Sequence, residues 1–302
     1  MSYDKYFKKN RPSISMNTIK SYSTTLRGLG KKLGKAIESP KDIINNIDNV
    51  IKAYDDVKFS SRKTHMSALI SFIDDGKDDD TKQAVDKLRK LVMTDVKTYD
   101  DFINSQEKSK QEEENWISWD DVIKRYQSFE REVAALWKLK PEELSKGNFN
   151  KLKLFVLLSC YILIPPRRLL DYTSFKIRNF NLTKDNYMKG KTFIFNNYKT
   201  AKTYGTNVVD ISPKLFSIIK KWIAINDSDF LITGNNDRFK QISAPQLTNM
   251  LNTFFNKRVS VNILRHSFLT HLYKDIPDLK DMKERASDMG HDIETAISYI
   301  KK

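Results

Sequence analysis

The chain of 302 residues carries 53 Lys+Arg against 38 Asp+Glu, a net charge of +15, with 39% hydrophobic and 11% aromatic residues. That length is near the size at which one core stops growing, so two domains are expected, and the basic surplus favours nucleic acid as partner over a merely lysine-rich background. A single cysteine, Cys160, excludes an internal disulfide and a cysteine-based metal cluster, and with a polar Met1–Pro12 stretch in place of a signal segment a soluble intracellular protein with no membrane partner is expected.

Residues 13 to about 100 read as helices. Ile19, Tyr22, Leu26, Leu29 and Leu33 recur at spacings of three and four, one apolar stripe on a helix. Ser39-Pro40 is a helix start, with Ile43, Ile44, Ile47, Val50 and Ile51 on one face. Ser60-Ser61 is expected to cap a third helix, an aspartate-rich loop covers Asp74 to Asp80, and Val85, Leu88 and Val92 mark a fourth helix. Lys20, Arg27, Lys31, Lys32, Arg62 and Lys63 then lie outside a small bundle, as a solvated face or as one that tracks phosphates.

The stretch 107–115, EKSKQEEEN, has no apolar residue and is expected to be a linker between a helical domain over 1–106 and a second domain over 116–302. Ser118, with Asp121 three residues on, caps a helix striped by Val122, Tyr126, Phe129 and Val133. Leu152 to Ile164 is apolar nearly all round, so it should lie at the centre of a core; its apolar run is too short to span a membrane. Pro165-Pro166 stops it, and Arg167, Arg168 and Asp171 follow. Thr192–Asn196 and Thr206–Ile211 read as a β-hairpin carrying Lys199 and Lys202 in or beside its turn. Helices are expected from Pro213, after Ser243, over Asn262–Tyr273 and over Leu279–Met289. No glycine-rich phosphate loop and no set of side chains at metal-ligand spacing occurs, so neither a metal nor another cofactor is expected.

The last forty residues gather the chemistry. Arg265-His266 sits on an apolar helical repeat, Gly290-His291 ends a polar helix, and Tyr299 follows eight residues later. An arginine offers a planar fork to phosphate oxygens, a histidine adds a donor, and a tyrosine oxygen can attack phosphorus.

Taken in order, these stations resemble the tyrosine recombinases, the phage-type integrase family. PPRRLLDY supplies the first arginine, matched by Arg168 with Asp171 three positions on; the hairpin lysine is Lys199; NILRHSF supplies Asn262 and Arg265; MGH supplies His291; and Tyr299 takes the nucleophile position. Arg167 and Lys202 remain alternatives to Arg168 and Lys199. The PPRR-x-x-DY wording and the ending are most similar to integrases of virophages and large DNA viruses. Asn262 departs from the family's histidine or lysine, and it can donate to a phosphate but not transfer a proton. The His291-to-Tyr299 gap is one residue shorter than in bacterial members. Only Ile300, Lys301 and Lys302 follow the tyrosine, so docking of the tail on a neighbouring protomer is expected to be minimal.

The resemblance implies a mainly α fold with a small antiparallel sheet, a core-binding domain and a catalytic domain closing as a C-shaped clamp on double-stranded DNA. It implies a homotetramer on DNA, with room for an accessory DNA-bending protein. Tyr299 would form a 3′-phosphotyrosyl bond; Arg168 and Arg265 would clamp the phosphate oxygens; Lys199 would protonate the leaving 5′-oxygen; His291 would hydrogen-bond the phosphate; Asp171 would orient an arginine. Neither metal nor ATP enters. Integration of a viral or mobile-element genome is the expected use. A type IB topoisomerase, a telomere resolvase, a catalytically silent DNA-binding relative and a basic helical scaffold are the competing readings.

Overall fold

The computed structural model describes residues 2–74, 78–105, 107–235, 237, 239–274 and 279–300. The chain is mainly helical with one small antiparallel sheet, and it divides into two compact units, Met1–Ser105 and Gln106–Lys302.

The first unit holds α1 (Tyr3–Asn10), α2 (Met16–Leu33), α3 (Pro40–Ile44), α4 (Ile47–Lys52), α5 (Phe59–Ile73) and α6 (Asp79–Asn104). The apolar stripe of α2 is buried at Ile19, Leu26 and Leu29, beside Val50, Met66, Leu69, Val85 and Leu88. α1 lies in a stretch that composition marks only as charged. It folds because Tyr3 and Phe7, one turn apart, enter this core, and Tyr3 Oη donates to Ile37 O at 2.7 Å. The expected Ser60-Ser61 cap is corrected: α5 begins at Phe59 behind Lys58, placing both serines inside its first turn. The aspartate-rich loop is shorter than expected, because Asp78 accepts from Thr81 N at 2.8 Å and starts α6; residues 75–77 lie outside the described residues.

In the second unit the expected linker is also corrected in part. Ser109 caps α7 (Lys110–Asn115), and Glu112 closes the capping box, so part of a stretch without apolar residues is helical. There follow α8 (Trp119–Val133), two short 3-10 turns, α9 (Lys146–Ile162) and α10 (Leu169–Thr173). α9 is the core helix, with Leu152, Phe155, Val156, Leu157, Leu158 and Cys160 all buried. Lys153 is the exception on it: its Nζ donates to Thr233 O and Asn235 Oδ1, and burial lowers its pKa to about 8.

The sheet has the order β1-β2-β3 from β1 (Tyr187–Lys189), β2 (Thr192–Phe195) and β3 (Asn207–Asp210). β2 and β3 pair as the expected hairpin, Phe193 against Val209. β1 is an addition, joined through the Gly190 turn at φ +60. The connection from β2 to β3 contains α11 (Ala201–Tyr204), so Lys202 lies on a short helix and Lys199 before it. α12 (Pro213–Ile225), α13 (Ala244–Phe255), α14 (Val261–Leu272), α15 (Leu279–Asp288) and α16 (Ile293–Ile297) complete the unit. Lys301 and Lys302, part of the short tail, lie outside the described residues. No helix among the described residues is long and apolar enough to cross a membrane.

Candidate active site

Pro165-Pro166 ends α9 and delivers two consecutive arginines that part company. Arg167 is fully buried: its Nε donates to Asp171 Oδ2 at 3.0 Å, and its Nη1 donates to Asn207 Oδ1 and Asp288 O, both at 2.6 Å. Its guanidinium carbon lies 3.8 Å from the Phe195 ring centroid. Arg168 is the N-cap of α10 and turns the other way, its Nη2 3.3 Å from His291 Nδ1. Asp171, expected to orient an arginine, pairs with Arg167. Asp171 reaches back one helical turn to Arg167, because the extended backbone of Arg168 (ψ 152) throws the next arginine to the opposite side. Burial pushes the Asp171 carboxyl up while Arg167 pulls it back down.

Arg265 points inward from α14 at 1% exposure. Burial first, then the neighbouring arginines, lowers its pKa to about 10 despite Tyr299. His291 follows Gly290, whose φ of +72 lets the chain turn sharply at the end of α15. A Cβ built on Gly290 would stand 3.6 Å from Arg167 Nη2 and 3.8 Å from Arg168 Nη1, which places this turn against both arginines. Burial, with Arg265, Arg168, Arg167 and Lys199 around it, drives the His291 pKa to about 2, so the imidazole is neutral. A guanidinium can only donate, so Nδ1 accepts from Arg168 and the ring proton sits on Nε2.

Tyr299 lies in the turn after α16. Arg265 Cζ is 4.9 Å from its ring centroid, the His291 ring is 4.9 Å away at 71°, and the His266 ring is 4.9 Å away at 31°. Among the described residues, five buried donor atoms of this cluster have no hydrogen-bond partner: Arg167 Nη2, Arg168 Nη1, Arg265 Nε and Nη2, and His291 Nε2. Each such donor costs about 1–3 kcal/mol, more when charged. Cations this crowded, with Arg167 paired to Asp171 and Asp288 raised to about 6 by burial, suit a tetrahedral oxyanion.

Lys199 is exposed, and its charge is felt at His291; the adjoining Thr200 Oγ1 donates to Gly290 O at 3.5 Å. Lys202 is exposed on α11. Asn262 is exposed in the first turn of α14, three residues before Arg265. The structure thus gathers Arg168, Arg265, His291 and Tyr299 and adds three residues the sequence reading left outside the site or in reserve. Arg167 is buried with Asp171, His266 lies against Tyr299, and Glu112 Oε1 is 2.8 Å from His266 Nδ1. Only the Arg265-His266 adjacency signalled His266; nothing in the sequence signalled Glu112. Among the described residues no group of three or more His, Cys, Asp or Glu side chains is placed to hold a metal ion. No protein-family model matches the chain, and no curated protein matches it.

Proposed function

We propose that the chain is a DNA strand transferase of the tyrosine-recombinase type, cutting and rejoining double-stranded DNA through a 3′-phosphotyrosyl intermediate. The observation that carries this reading is that Arg265 and His291, which lie against Tyr299, hold buried N–H groups with no hydrogen-bond partner among the described residues. In the proposed step the Tyr299 oxygen forms a bond to phosphorus as the phosphorus–5′-oxygen bond breaks. The phenolic proton passes to solvent water, and the leaving oxygen takes a proton from Lys199. Arg168 and Arg265 meet the charge on the non-bridging oxygens, and His291 donates from Nε2. Arg167, tied to Asp171, Asn207 and the Asp288 carbonyl, holds the turn that carries His291 and adds its Nη2, unpartnered among the described residues.

The phosphotyrosyl bond retains the energy of the broken bond, so a 5′-hydroxyl from another duplex reseals it and neither ATP nor metal enters the scheme. Unit 1 serves as the core-binding domain and unit 2 as the catalytic domain of a clamp on duplex DNA, with four protomers on two duplexes. Integration of a viral or mobile-element genome is the use we assign.

The test is covalent trapping on nicked duplexes that span candidate element ends. A DNA-linked protein band that disappears in Tyr299→Phe supports the proposal. A wild-type chain that binds DNA but gives no adduct across a broad pool of sequences speaks for a silent DNA-binding protein. Relaxation of any supercoiled plasmid speaks for a topoisomerase.

A further inference from the structure

Glu112 holds two elements with its two carboxylate oxygens. Oε2 accepts from Ser109 N at 3.0 Å and Ser109 Oγ at 2.7 Å, closing the capping box that starts α7. Oε1 lies 2.8 Å from His266 Nδ1, in a pair only 13% and 18% exposed. An ionised carboxylate only accepts, so Nδ1 is the donor and the imidazole plane is fixed. That plane is one wall of the Tyr299 cage, 31° from parallel to the phenol ring, with His291 and Arg265 as the others.

Tyr299 needs such walls. It stands in a turn after a five-residue helix, tied to it by Tyr299 N donating to Ala296 O at 3.1 Å. So short a helix has little stability of its own, and the surrounding side chains decide where the ring rests. The half-buried hydrogen bond between His266 Nδ1 and the Glu112 carboxylate orients one of those side chains.

We infer that Glu112 is a positioning residue for Tyr299, acting through the His266 ring, and that the first turn of α7 is thereby coupled to the tyrosine. The coupling has a place in the chain: Ser109, the cap that shares Glu112, stands four residues after Ser105, where the first unit ends. A shift at Ser109 therefore reaches Tyr299 through two hydrogen bonds and one ring contact. The reacting role of Tyr299 rests on the strand-cleavage reading above; the chain of contacts does not.

The experiment uses full-length protein labelled with 3-fluorotyrosine, with the Tyr299 signal identified by its loss in Tyr299→Phe. Glu112→Ala is expected to move the Tyr299 fluorine line, and to slow adduct formation on a nicked duplex by about tenfold to a hundredfold. DNA affinity should hold, while the melting midpoint falls modestly with the loss of the capping box. Glu112→Gln keeps an acceptor for His266 and should restore both the line and the rate. His266→Phe retains a ring without the tie and should behave as Glu112→Ala, which keeps the test open if that variant fails to fold. A Tyr299 line unmoved in folded Glu112→Ala or folded His266→Phe overturns the inference. A wild type without adduct, whose Tyr299 line still moves on losing Glu112, supports the positioning contact and overturns the cleavage reading instead.

Discussion

Arg168 and His291, 123 residues apart in sequence, face each other with Nη2 3.3 Å from Nδ1. The contact fixes a protonation state: the arginine has no lone pair to accept with, so His291 must present its proton on Nε2, where no partner among the described residues meets it. A neutral imidazole is thereby a donor aimed into a site of cations.

This geometry gives stability a pH signature. The His291 pKa falls from 6.5 to about 2 on folding, so between those values the unfolded chain binds more protons than the folded one. The contribution is intact above pH 6.5 and is lost as pH falls below it, at up to about 1.4 kcal/mol per pH unit. Asp288, raised to about 6, acts in the opposite sense and is common to wild type and variant. Compared with His291→Gln, the wild type should lose about 2 kcal/mol between pH 7 and pH 5 in urea titrations.

Arg265 is held against its own electrostatics. Replacing it with methionine removes a buried charge with two unpartnered donors, so thermal stability should be unchanged or rise by about 1–3 kcal/mol. Adduct formation should fall by about 10²–10³, the measure of a lost oxyanion donor. Calorimetry and single-turnover trapping on the same preparation check both signs.

Asp171 makes the opposite case. Asp171→Ala leaves Arg167 buried without its carboxylate and should destabilise by about 3–5 kcal/mol. Arg167→Lys should not be conservative, since one ammonium cannot serve Asp171, Asn207 and the Asp288 carbonyl together. Denaturant midpoints measure both.

Lys199 and Lys202 are separable by the leaving group. Lys199→Ala should slow cleavage of an ordinary phosphodiester by about 10²–10⁴. Its rate should recover on a substrate with a 5′-bridging sulfur, which leaves without a proton. Lys202→Ala should act near wild type on both substrates. A sulfur substrate that rescues Lys202→Ala and not Lys199→Ala would exchange the two roles.

Gly290 carries the turn into His291 at φ +72, and a Cβ there would make only ordinary contacts. Gly290→Ala should therefore cost about 1–2 kcal/mol from left-handed strain, not from a clash. Heat denaturation followed by circular dichroism provides the check.

Much of the architecture was legible along the chain because periodicity and caps act locally. The stripes of α2 and α8, the Ser118 cap, the stop at Pro165-Pro166 and the β2–β3 hairpin follow from neighbours within a few residues. The sequence also singled out Arg168, Arg265, His291 and Tyr299, which the fold brings together.

What the sequence did not contain was partnership. Asp171 stands three residues from Arg168 and four from Arg167, and only the extended backbone at Arg168 decides which arginine it holds. α1 folds because a core elsewhere accepts Tyr3 and Phe7, and Glu112 meets His266 across 154 residues. Composition and spacing determined which groups this protein carries and the helices that carry them. The packed interior decided which of them are buried, which face one another and which donors remain unpaired, because those depend on long-range contacts that no local pattern encodes.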